Sequence, residues 1–130
     1  MKPTQTLIRL VVIAGLALAS ASYAETQSTS EKIQAALDHE RRSEQEIARD
    51  KNRKPLETLN FFRLQDDMTV LEIMPGGGWY TNILGPVLAE NGRLILAIGA
   101  ERTGERIKDQ PGFESTTVIP FDRSNFSRAP

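Results

Sequence analysis

Apolar positions along this chain fall into blocks, and the spacing within each block predicts an element. Residues 10–19 (L-V-V-I-A-G-L-A-L-A) are continuously apolar and follow a start that carries Lys2 and Arg9. Residues 25–30 are polar and rich in Ser and Thr, a lead-in with too little apolar surface to fold alone. Across residues 31–54 mixed charges dominate, and Ile33, Ala36, Leu37, His39 and Ile47 form only a thin stripe. That pattern predicts one or two solvated helices. Ser43 followed three residues later by Glu46 is a capping box that starts the second. Pro55 stops one helix and suits the first turn of the next, over residues 56–62, with Leu56, Leu59 and Phe62 on one face.

After the turn Q-D-D-M at 65–68, the chain reads T-V-L-E-I-M-P-G-G-G-W-Y-T over 69–81. Val70, Leu71 and Ile73 predict a short strand, and the glycines at 76, 77 and 78 break it before a second helical pattern begins. Ile83, Leu84, Val87 and Leu88 mark that helix face, with Pro86 inside it and Asn91-Gly92 as a left-handed stop. Residues 94–98 (L-I-L-A-I) are a near-continuous apolar strand, as in a parallel sheet covered on both faces. Residues 101–109 predict a poor helix interrupted by Gly104, and 116–121 (T-T-V-I-P-F) a third strand. The order is that of an α/β protein. It predicts a Rossmann-like doubly wound parallel sheet, incomplete at about three strands and preceded by charged N-terminal helices.

Composition narrows the chemistry. With 16 Lys plus Arg against 17 Asp plus Glu, the chain carries no field that would draw it to nucleic acid. It has no cysteine, hence no disulfide, thiolate nucleophile or Cys-based zinc site, and its single histidine, His39, cannot build a His-rich metal site. His39 sits among charges and reads as solvent-facing or locally paired. The basic start, the apolar core and Ser22-Tyr23-Ala24 together predict a signal peptide over residues 1–24, cleaved after Ala24. The apolar run falls short of the ~20 residues of a membrane span, so a periplasmic or secreted protein without a stable span is expected.

A strand that breaks into glycines and resumes as a helix builds a phosphate- or nucleotide-binding turn. A P-loop requires a lysine after the glycines, and none follows. A dinucleotide fingerprint G-x-G-x-x-G is met by Gly76 and Gly78, but its third position is Thr81. That match is partial. A third option is an S-adenosylmethionine loop, which has an acidic residue in the strand just before it. Glu72 is a lone carboxylate in an apolar strand, costly unless paired. Arg53 and Lys54 read either as a solvated helix end or as a basic pair leaning over an anionic ligand group.

V-L-E-I-M-P-G-G-G-W-Y-T, with D-x-x-R-K-P ahead and L-A-E-N-G-R-L behind, resembles the class I S-adenosylmethionine-dependent methyltransferases. More narrowly it is similar to a set of signal-bearing bacterial predicted methyltransferases that share the P-G-G-G-W-Y-T loop. The resemblance spans about residues 48–121 and implies the N-terminal, cofactor-binding half of that fold over 55–130. By position it implies cofactor contacts from Glu72, Pro75, Gly76, Gly77 and Gly78. Glu101 is the nearest acid to the family's ribose-binding position after the second strand. Met74 stands where the family has its first glycine, and Ile98-Gly99-Ala100 where it has the ribose-binding acid. No catalytic base or methyl acceptor is assigned. The other readings are a non-catalytic exported remnant and a nucleotide-dependent oxidoreductase. An open parallel edge predicts marginal stability, aggregation or a homodimer formed through that edge.

Overall fold

The computed structural model describes residues 27–120, so the signal-peptide expectation and Phe121 lie outside the described residues. Three charged-region and linker helices come first: α1 (Thr29–Leu37), α2 (Glu44–Arg53) and α3 (Pro55–Phe61). They are followed by β1 (Thr69–Ile73), α4 (Thr81–Leu88), β2 (Arg93–Ala97), α5 (Glu101–Ile107) and β3 (Thr116–Ile119). The strands form one all-parallel sheet in the order β1-β2-β3. This is the α/β, Rossmann-like architecture that the pattern predicts. Among the described residues no helix is long and apolar enough to cross a membrane.

Both early helices begin on capping boxes. Ser28 and Glu31 close one and Ser43 and Glu46 the other, each pair satisfying two otherwise orphaned N–H groups. Only α2 is solvated as expected, with no buried residue. The stripe of α1 is thin, but Ile33 and Ala36 lie three residues apart and both are buried in the core, where α1 packs on α4. Lys32 fixes that packing from the rim, bridging Asp66 and Glu90, each at 2.8 Å. Pro55 opens α3 as anticipated, yet Phe62 falls just past its end and is exposed, while Leu59 is buried.

Register decides which face the helices cover. Val70 pairs with Leu94, Glu72 with Leu96, and Leu96 with Val118, so these side chains share one face of the sheet. Leu94 and Leu96 are buried with Ile83, Leu84, Val87 and Leu88 of α4 and with Ile107 of α5. Gly104 of α5 lies so close to β3 that a Cβ there would sit 2.5 Å from Val118 Cγ2. The glycine that weakens α5 in the sequence is therefore what lets it dock. Among the described residues both crossover helices lie on this face. Cover on both faces was expected, but Leu71, Ile73 and Ile119 on the other side are 54%, 52% and 49% exposed.

One further expectation changes. Gly92 does not adopt positive φ, so it is not a left-handed stop. Its role is close approach: a Cβ there would lie 2.6 Å from the carbonyl oxygens of both Asp66 and Met68. Pro86 is accommodated inside α4, which runs on to Leu88.

Candidate functional site

The carboxyl ends of β1 and β2 lie side by side, and each turns out of the sheet through left-handed backbone. Met74, at φ 53°, follows β1, and Ile98, at φ 55°, follows β2. A β-branched residue rarely occupies that region. Gly76, Gly78 and Gly99 continue at φ 55°, 80° and 70°. Met74 N–H donates to Ala97 O at 3.0 Å, so the two turns are hydrogen-bonded together where they leave the sheet.

The loop between β1 and α4 is held from one side by α5. Thr103 Oγ1 donates to Gly76 O at 2.8 Å, and Arg106 Nη2 to Gly77 O at 3.1 Å. Gly78 is buried beneath this contact, where a Cβ would collide with the Arg106 guanidinium. Gly77 and Gly99 differ: a Cβ on either would meet nothing within 4 Å. Neither Gly76 nor Gly77 donates its N–H to a backbone carbonyl among the described residues. The result is a shelf with its carbonyls turned toward α5 and two open glycines along it. Pro75 is buried within the loop, and Glu101, the first residue of α5, is exposed.

Glu72 lies under the shelf. Its Oε2 accepts from Thr81 Oγ1 at 2.7 Å, joining β1 to the first turn of α4. The carboxylate thus stands at a helix N-terminus that has no side-chain cap of its own. It also borders an open apolar groove of about 500 Å³ along the free edge of β1, shared with Leu59, Tyr80 and Leu84. Burial pushes the Glu72 carboxyl above its ordinary value, partly opposed by hydrogen bonds from the Thr81 hydroxyl and backbone N–H. A raised folded value means the folded chain binds more protons than the unfolded chain in the window above 4.5. Stability contributed by this group therefore falls as pH rises through that window. Glu72→Gln keeps an acceptor for Thr81 and removes the titration. Urea melts of both proteins across pH 4–8 are expected to differ by a curve that rises with pH in the variant's favour (~pH 4–8). An identical pH slope in the two proteins would show that Glu72 is not held in this environment.

Besides Thr103 and Arg106, sequence reasoning missed Trp79. It is buried, its Nε1 donates to Glu46 O at 2.9 Å, and the guanidinium carbons of Arg53 and Arg42 lie 4.8 and 5.8 Å from its ring centroid. Next to it, Asn82 Nδ2 donates to Glu46 Oε1 at 2.6 Å. The solvated helix α2 is thereby fastened to the glycine loop by the side chains that follow the glycines. Arg53 is packed on an indole, and Lys54, at φ 43°, is the joint between α2 and α3. His39 is exposed and accepts from Arg41 Nε at 3.2 Å, a local pairing.

No family model, curated protein or solved structure matches the chain.

Proposed function

We propose that the shelf at the ends of β1 and β2 binds S-adenosylmethionine and that the chain serves S-adenosylmethionine-dependent methyl transfer outside the cytoplasm. The observation that carries this reading is the paired left-handed exits at Met74 and Ile98 beside the open glycines Gly77 and Gly99. Left-handed backbone at a non-glycine residue costs on the order of 1–3 kcal/mol and persists where the surroundings demand it. In open α/β sheets ligands lie outside the carboxyl ends of the strands.

The residues fit the group. The N–H groups of Gly76 and Gly77 would hold its carboxylate, and Glu101 its ribose hydroxyls. Glu72, bonded to Thr81, fixes the angle between strand and helix that sets the loop. The bound cofactor supplies a methyl group on an electrophilic sulfonium. The chain's contribution is alignment and the backbone donors that orient the ligand. A dinucleotide reading is less well supported, because the position of its third glycine is filled by Thr81, which is buried and bonded to Glu72.

Calorimetric titration of the purified protein with S-adenosylhomocysteine and, separately, with NAD tests the proposal. Saturable heat with the first and none with the second is expected. Heat with NAD alone would overturn it in favour of an oxidoreductase, and silence with both would favour a non-catalytic remnant.

A further inference from the structure

Alongside the glycine loop, α2, the start of α4 and α5 border an open polar concavity of about 440 Å³. Arg41, Arg49 and Arg106 line it, together with Gly77 and Asn82. None of these three arginines forms an ion pair among the described residues, although Lys32, Arg42 and Lys108 all do. One carboxylate, Glu46, stands in the wall, and both its oxygens are engaged. Its Oε1 accepts from Asn82 Nδ2 at 2.6 Å, and its Oε2 from Ser43 N at 2.8 Å and Ser43 Oγ at 3.0 Å.

Two of the three guanidinium groups are oriented before any ligand arrives. Arg106 is fixed by Asn82 Oδ1 at 3.3 Å and Gly77 O at 3.1 Å. Arg41 donates to Pro111 O at 3.0 Å and lies 5.3 Å above the Phe113 ring. The Arg49 side chain makes no hydrogen bond among the described residues, which leaves its fork free. Three cationic groups against the single Glu46 carboxylate leave the cavity with an excess of positive charge that an entering anion would offset. The overall charge of −1 shows that this is a local arrangement and not a general basic surface.

We infer that this concavity binds a phosphate-bearing small molecule. Planar guanidinium forks match the oxygens of a phosphate group, and several together select a multiply charged anion over a single carboxylate. The volume lies within the roughly 300–1,000 Å³ range of small-molecule sites, leaving room for the organic part of an ester. Gly77, and Arg106 that holds its carbonyl, are common to this site and the shelf, but Arg41 and Arg49 stand outside the shelf, so the inference does not depend on the cofactor proposal.

The test is calorimetric titration of the full chain with sodium pyrophosphate at constant ionic strength, with sodium chloride and sodium acetate as controls. Saturable binding of pyrophosphate alone is expected. Arg49→Gln should weaken it about tenfold, the scale of one charge-assisted hydrogen-bonded contact, and Arg49→Lys should weaken it less. Neither variant should move the ligand-free melting temperature, since Arg49 holds nothing else in place. Equal affinity in parent and Arg49→Gln, equal heat from chloride or acetate, or no heat at all would overturn the inference. Binding seen only with phosphatidylglycerol vesicles, and not with pyrophosphate, would overturn it in favour of a lipid headgroup.

Discussion

Replacing Trp79 with alanine is expected to cost about 3–5 kcal/mol, the range for truncating a buried aromatic side chain. That is a large part of the ~5–15 kcal/mol that holds a domain together. The cost has two sources. The indole fills the space between α2 and the first turn of α4, and its Nε1 is the donor that meets Glu46 O at 2.9 Å. Removing it also withdraws the ring on which Arg53 and Arg42 lie. Trp79→Phe keeps a ring and loses the donor, so an intermediate loss is expected. Trp79 is the sole tryptophan, so the comparison must use circular dichroism in denaturant and not intrinsic fluorescence. A loss below ~1 kcal/mol, the scale of a surface change, would show that α2 is not fastened through this residue.

The second large effect is expected at Asp50. The Arg42 side chain is 0% exposed. Its Nη1 and Nη2 each donate to the Asp50 carboxylate at 2.7 Å, Nη1 also reaches Leu37 O at 3.0 Å, and Nε has no partner. Asp50→Ala would leave a buried guanidinium with one carbonyl. Breaking a buried pair from one side costs ~3–5 kcal/mol. The Asp50 side chain is 24% exposed, so water can reach the vacated place and the lower end, about 3 kcal/mol, is expected. Adding Arg42→Met to Asp50→Ala should restore part of the loss, because the uncompensated charge goes with it. Denaturant titrations of the two single variants and the double variant measure this directly. A double variant worse than Asp50→Ala would show that Arg42 contributes mainly through packing. Because Arg42 also lies over Trp79, the effects at Asp50 and Trp79 should not add.

What the sequence made legible was local. Thr69–Ile73 could be read as a strand from its apolar residues and the glycines that end it, and the box at Ser43 and Glu46 fixed the start of α2 to the residue. The parallel order followed from alternation of strand and helix. Tertiary contacts were not legible in the same way. Ile33 and Ala36 look marginal in a run of charges, and only the opposing surface of α4 makes them core. Gly92 reads as a helix stop beside Asn91, whereas its reason lies with two carbonyls from the turn before β1. One-sided helix cover and the Leu71 and Ile73 exposure run against the pattern, since a near-continuous apolar run such as L-I-L-A-I is that of a sheet covered on both faces. At the site, Glu72 and the glycines stood out by residue type, but Trp79, Thr103 and Arg106 did not. Their roles depend on which backbone atoms they meet across the fold. An aromatic residue placed directly after three glycines was the available signal for Trp79.

The most direct test of the account is amide mapping by nuclear magnetic resonance while S-adenosylhomocysteine is added to the isotopically labelled protein. Saturable shifts are expected at Gly76, Gly77, Gly99 and Glu101, with Thr116 and Thr117 on the far strand unmoved. Shifts confined to the Arg41–Arg49–Arg106 concavity, or none at saturating ligand, would contradict it.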